Sequence, residues 1–223
     1  MFQDRRDAGV QLADELLRFK GHDPVVLALP RGGVPIGFEI AQALEAPLDL
    51  VLVRKIGAPF QPELAVAAVV DGEEMELVVN EDLIEGLALS QDYVREQAAR
   101  QVEEIERRRR LYLEGRQRVR IEGKTALVVD DGIATGATMR AALRAVRRRY
   151  PRRLVLAVPV APPEAVESLR SEVDEVVCLT TPDYLGAIGS FYADFRQVGD
   201  DEVRELLARA ERRAEKPNAS DAA

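Results

Sequence analysis

The chain has 223 residues, 47% of them hydrophobic, enough for one sizeable packed domain with an appendage. A net charge of −8 argues against a nucleic-acid binder, whose footprint is a net basic surface. One cysteine, Cys178, excludes an internal disulfide framework and a cysteine zinc cluster, one histidine, His22, leaves little for a Ser-His-Asp triad, and the absence of a membrane-length apolar run or signal-peptide pattern predicts a soluble, cytoplasmic protein.

In chain order, an amphipathic helix is expected over 7–19, with Ala8, Leu12, Leu16 and Phe19 on one face. His22 falls in a turn and reads as a surface residue. The apolar run 25–29 predicts a buried strand, and it leads into Pro30-Arg31-Gly32-Gly33-Val34-Pro35 and a helix over about 36–44. Exposed amides beside a forked cation suit a diphosphate, although a plain loop would explain an Arg-Gly-Gly turn taken alone. A strand over 48–53 ends in Arg54-Lys55-Ile56-Gly57. The following stretch, 57–64, is rich in Pro and Gly and reads as a loop. Arg54 and Lys55 are either a surface pair or cations for the same diphosphate.

Strands over 65–70 and 75–79 form a hairpin around Asp71-Gly72, followed by helices over 81–85 and 91–114. The charged stretch 91–120 offers Glu103-Arg107, Glu104-Arg108 and Glu106-Arg110 at helical spacing, which fits a solvated helix, with a subunit contact or anionic-ligand patch as the rival. Next comes the most informative segment, LVVDDGIATGATM over 127–139. A buried parallel strand ends in adjacent carboxylates, Asp130 and Asp131. Gly132, Ala134, Thr135, Gly136, Ala137 and Thr138 then open a helix over about 137–149. Glycines let backbone approach a ligand, and free amides at a helix start favour an anion. Acids for sugar hydroxyls beside a phosphate cradle suit a phosphorylated sugar. An ordinary strand-turn-helix capped by one Asp is the bland alternative, and a Walker A loop is excluded because no Lys follows Gly136.

A strand over 153–158, a helix from Pro162-Pro163 to about 171 and a strand over 173–179 complete the alternation, with Cys178 as a small core residue. The basic cluster Arg144, Arg147, Arg148, Arg149, Arg152 and Arg153 sits near a helix C-terminus, where the dipole favours cations. The expected architecture is α/β: a parallel twisted sheet flanked by helices, with ligands at the carboxyl ends of the strands. Domain organisation is read as one domain over 1–200, a C-terminal helix over 201–213 and a disordered tail over 214–223.

The 127–139 segment, with the Pro30–Pro35 and Arg54–Gly57 turns, resembles the type I phosphoribosyltransferases, and most closely a bacterial stand-alone group with PRGG, RKIGAP and DDGIATGAT blocks. The resemblance implies a type I fold with a small hood over about 180–200 and a helical insertion over about 81–120. It implies that Asp130 and Asp131 hold the ribose hydroxyls of phosphoribosyl diphosphate (PRPP), that Thr135, Gly136, Ala137 and Thr138 wrap its 5′-phosphate, and that Gly132 and Ala134 also belong to the PRPP site. It gives Arg31, Gly32, Gly33, Arg54 and Lys55 to the diphosphate, with a cis peptide at Arg31-Gly32. It makes 57–64 a mobile loop closing over the reacting atoms, with Lys55 and Arg31 catalytic and Glu63 a candidate acid/base group. Mg2+ would be held mainly by substrate oxygens, with no direct protein ligand. Tyr184, Tyr192 and Asp194 would hold the base, or the aromatics would be hood core; both stand. Ala134 replaces the acid that hypoxanthine-guanine enzymes carry there, so the acceptor stays open. The partners implied are PRPP and a small base, with a homo-oligomer allowed and no nucleic acid or membrane. The rivals are a non-catalytic regulatory protein that binds PRPP, and an α/β hydrolase using the acid pair on a metal.

Overall fold

The computed structural model describes residues 1–71 and 75–214. In chain order the elements are α1 (Arg5–Leu16), β1 (Pro24–Ala28), α2 (Gly33–Leu44), β2 (Leu48–Leu50), β3 (Val53–Ala58), β4 (Gln61–Asp71) and β5 (Met75–Val79). Then follow α3 (Glu81–Gly86), α4 (Gln91–Leu113), β6 (Thr125–Val129), α5 (Ala137–Arg147), β7 (Arg153–Val160), α6 (Pro163–Leu169), β8 (Glu175–Thr180) and α7 (Asp200–Ala214). Five strands make a sheet in the order β2-β1-β6-β7-β8, every pairing parallel.

The pleat sorts the apolar residues. Val26, Ala28, Leu127, Val129, Val155 and Ala157 pack against α1, α2 and α7. Their neighbours Val25, Leu27, Ala126, Val128, Leu154 and Leu156 join the residues of α5 and α6 on the other face. A strand buried on both faces therefore reads as an unbroken apolar run, and this is the fold class expected. The strand order reverses between β1 and β6, which creates a crevice beyond their carboxyl ends.

A second sheet, β3-β4-β5, is antiparallel and lies between α4 and α5. This sheet corrects two expectations. The strand read over 48–53 breaks at Val51 and Leu52, where the chain leaves the edge of the main sheet and starts the small one. The stretch 57–64 is the end of β3, a turn at Pro59-Phe60 and the start of β4, not a loop throughout. Gly57 sits at a register irregularity where a Cβ would lie 2.4 Å from the Pro62 carbonyl oxygen. Pro62 precedes the part of β4 that β5 pairs, so its missing N–H disrupts no ladder there. Glycine and proline therefore punctuate a hairpin. The helices expected over 81–120 form the outer part of this larger appendage, and the Gly72 end of the expected β4–β5 turn lies outside the described residues.

The charged α4 carries Glu104–Arg108 at 2.8 Å and Glu106–Arg110 at 3.9 Å, while Arg107 turns to Glu104 rather than Glu103. Arg107 and Arg108 together hold the Glu104 carboxyl down to about 2, mainly by hydrogen bonding. The arginines at the end of α5 and the start of β7 are paired as well: Arg144 with Glu172, Arg147 with Asp174 and Arg153 with Glu175. Cys178 is half-buried rather than fully in the core, and its thiol is pushed up by burial. The tail expected over 214–223 falls, beyond Ala214, outside the described residues.

Candidate active site at the strand reversal

The turn after β1 and the turn after β6 meet in the crevice. The Leu29 amide donates to the Val129 carbonyl at 2.9 Å, and the Gly33 amide donates to the Leu29 carbonyl at 3.0 Å. A Cβ on Gly33 would lie 2.7 Å from the Val129 carbonyl oxygen, and one on Gly32 only 2.0 Å from Asp131 Oδ2. Glycine is thus what lets the two turns touch. The cis peptide is at Pro30-Arg31, one residue before the position expected, since the resemblance did not fix the register within the turn.

Asp130 and Asp131 stand side by side at the end of β6. Asp130 Oδ1 accepts the Asp131 amide at 2.8 Å. Burial pushes the Asp130 carboxyl well above the usual range, and the neighbouring Asp131 charge adds to that. Arg5, at the start of α1, donates from Nε to Asp131 Oδ2 at 2.7 Å. That pair is largely enclosed, at 11% and 14% side-chain exposure. The Tyr192 hydroxyl donates to the Asp131 carbonyl at 2.6 Å.

Past the acids, a Cβ on Gly132 would meet Ile188 Cγ2 at 2.6 Å, so this turn also needs glycine. Gly136 caps α5 in the left-handed region (φ 79°), where glycine carries no Cβ penalty, and no side chain occupies the cap. Ala134 and Thr135 are exposed, and Ala137 and Thr138 are half-buried. The uncapped first turn of α5 leaves its amides for an anion.

The proposed diphosphate cations divide. Arg31 leaves the β1 turn and lies 3.5 Å from Asp200 Oδ1 at the start of α7, an oxygen that also accepts the buried Tyr112 hydroxyl. Burial and that bond push Tyr112 up to about 12. Arg54 points to the α4 face of the small sheet, where its Nε donates to Gln101 at 3.1 Å. Lys55 stands opposite Ala68, which packs on the α5 side. Directly opposed residues share a face, so Lys55 projects toward α5 and Arg54 away from it. Glu63 lies in β4, and its side chain falls outside the described residues.

The segment expected as a hood is tied to the residues before α1. Phe2 bridges to Tyr192, and backbone bonds join the Phe2 amide to Phe191, the Ala193 amide to Phe2 and the Asp194 amide to Gln3. Tyr192 is 5% exposed between Phe2 and Phe195, at 5.4 and 5.0 Å between ring centroids. Its geometry is that of hood core. Asp194 Oδ1 accepts the Arg196 amide at 3.0 Å in an exposed turn. Tyr184 is 86% exposed. Asp194 and Tyr184 are thus exposed while Tyr192 is buried.

Sequence reasoning missed Arg5, Phe195 as its platform, Tyr112 and Asp200. Arg5 and Asp131 are 126 positions apart, and an Arg at a helix start carries no local signal. Among the described residues no group of three or more His, Cys, Asp or Glu side chains forms a metal cluster. Among the described residues no helix is long and apolar enough to cross a membrane.

A family model described as a phosphoribosyl transferase domain matches residues 77–196. A Mycobacterium tuberculosis (strain H37Rv) protein provisionally named a phosphoribosyl transferase is 46% identical over 223 residues, taking in 100% of this chain and 50% of the relative. The chain therefore spans 50% of the length of the curated relatives it matches. The crystal structure of TT1426 from Thermus thermophilus is 44% identical with a TM-score of 0.80, covering 93% of this chain and 98% of that one. The AQ2163 protein of Aquifex aeolicus, 12% identical with a TM-score of 0.50 over 91% of this chain and 84% of its own, shares the fold alone.

Proposed function

The chain belongs to the type I phosphoribosyltransferase family, and on that footing we propose that it transfers the phosphoribosyl group of PRPP to a nitrogenous base or related nucleophile. The observation that carries this reading is the seating of the Arg31-Gly32-Gly33 turn on the Asp130-Asp131 pair. It brings the Arg-Gly-Gly turn and the two acids into one crevice, with the open start of α5 next in the chain, an arrangement that supports binding of a phosphorylated sugar diphosphate.

In this reading the acids accept the ribose hydroxyls, the first-turn amides of α5 take the 5′-phosphate, and Arg31 and Lys55 neutralise the leaving diphosphate. The bond from the anomeric carbon to the diphosphate oxygen breaks, a bond to the acceptor nitrogen forms, and the acceptor releases a proton. Positioning and charge neutralisation carry the rate, without a covalent enzyme intermediate. The crevice offers hard carboxylate oxygens and no closed ligand set, which fits Mg2+ held mainly by the substrate's own oxygens. Such an ion supplies further neutralisation of the diphosphate. With Tyr192 in the hood core, the exposed Tyr184 is the remaining stacking surface of the three base-site candidates.

A second reading, a regulatory PRPP-binding protein without turnover, draws on the engagement of both Arg31 and Asp131 by protein partners, Asp200 and Arg5. Diphosphate release from Mg–PRPP with a panel of bases separates the two. Release that depends on one class of base supports the transferase. PRPP binding with no release under any acceptor supports the regulatory protein.

A further inference from the structure

Two carboxylates adjacent in sequence repel each other, and burial makes each charge more costly. Here both acids are half-buried, and Asp130 is already pushed up by burial and by Asp131. Among the described residues, the charged and titratable groups against Asp131 are Asp130 on its own turn, Arg5 from α1, and Tyr192, which touches only its carbonyl. Gly32 brings no charge from the β1 turn. Arg5 is therefore the cation of this cluster.

Its placement is fixed on several sides. The guanidinium lies over the Phe195 ring, 3.8 Å from the centroid. Nη1 donates to the Arg196 carbonyl at 2.8 Å while Nε holds Asp131. The residues preceding α1 are bonded to 191–194 through the Phe2 and Gln3 backbone, and the Asp4 carboxylate caps α1 by accepting the Asp7 amide at 2.8 Å. The N-terminal strap thus delivers a planar cation to one oxygen of one acid.

We propose that Arg5 is a positioning residue for sugar recognition: it orients the Asp131 carboxylate and supplies the positive charge that lets the two adjacent acids act together on the ribose hydroxyls. This rests on the PRPP-binding reading above. Arg5 acts through Asp131 rather than on the substrate. The rival is that Arg5 only braces the hood.

The test is calorimetry of Mg–PRPP and ribose 5-phosphate binding by the full chain from mildly acid to neutral pH, with melting temperatures recorded alongside. In Arg5→Gln the acid pair loses the cation that counters the upward push on the Asp130 carboxyl, so ionising Asp130 requires higher pH. The acid limb of binding moves up by about one pH unit or more, which is tenfold or more in affinity on that limb. In Arg5→Lys the charge remains, so the limb stays in place, but the planar fork is lost and affinity drops several-fold at every pH. Phe195→Leu removes the platform and lowers the melting temperature, and its limb stays where the wild type has it. Arg5→Gln with a wild-type limb, Arg5→Lys with wild-type affinity, or Phe195→Leu moving the limb as far as Arg5→Gln overturns the proposal in favour of a brace. Should Arg5→Gln fail to fold, Arg5→Lys decides alone. A wild type that binds neither ligand overturns the PRPP-binding reading itself, and this proposal with it.

Discussion

Gly32→Ala isolates the contact on which the crevice depends. Gly32 has φ −61° and ψ −35°, a backbone conformation open to any L residue, so alanine meets no conformational penalty there. The obstacle is the Asp131 carboxylate, at 2.0 Å from the Oδ2 and 2.4 Å from the Cγ of the position a Cβ would take. Either atom must withdraw by roughly 1 Å or more to reach ordinary contact. Asp131 cannot swing freely, because Arg5 holds Oδ2 at 2.7 Å and Tyr192 holds its carbonyl at 2.6 Å. The Gly33 backbone is equally confined by Val129 and Asp130. Relief therefore breaks the Arg5–Asp131 pair or lifts the turn. Overpacking of this kind costs about 1–3 kcal/mol, and at about 2–4 °C per kcal/mol for a chain of this size the melting temperature falls by a few degrees. Binding should suffer more, since both the acid and the Arg31-Gly32-Gly33 turn proposed for the diphosphate move, and Mg–PRPP affinity should drop at least tenfold, about 1.4 kcal/mol. Calorimetry and a thermal melt on the same sample read both quantities. Affinity within twofold of wild type would refute the claim that turn and acid pair form one site.

Asp130→Asn should stabilise the fold near neutral pH while weakening ribose 5-phosphate binding. A carboxyl raised in the folded state contributes stability below its unfolded value and loses it as pH rises through the folded one, so the amide's advantage shrinks on acidification; a melt series that shows the opposite pH trend contradicts the assignment. Lys55→Ala should lower diphosphate release, whereas Arg54→Ala, bonded to Gln101 on the far face, should leave PRPP affinity nearly unchanged; equal losses would place both cations at the substrate. Asp200→Asn or Tyr112→Phe should change diphosphate affinity through Arg31 without touching ribose 5-phosphate affinity, which competition binding measures directly. Tyr184→Ala should raise the KM for the acceptor and leave the melting temperature in place, because the ring is exposed; a change in stability without a change in KM assigns it to hood packing.

The sequence revealed most where chemistry is local. The 127–139 segment combines a doubly buried strand, two acids, glycines and a helix start, and each of these leaves its mark within a few residues. Contacts between distant segments leave none: Arg5 reaches Asp131 across 126 positions, and Asp200 meets Arg31 across 169. The 57–64 hairpin was hidden because Gly57 and Pro62 are loop formers in general and here serve a bulge and an unpaired strand edge. Arg54 and Lys55 looked equivalent in sequence, yet strand alternation sends them to opposite faces. Tyr192 fits platform or core equally in sequence, and it is the packing of the distant Phe2 against its ring that makes it core.

The central claim is that Asp130 and Asp131 bind the ribose of PRPP. Titration of Mg–PRPP into the wild type and into the Asp130→Asn, Asp131→Asn double variant tests it most directly. The account predicts clear binding by the wild type and at least a hundredfold loss, about 2.7 kcal/mol, in a double variant that still melts cooperatively. Equal affinity in the two proteins would contradict it.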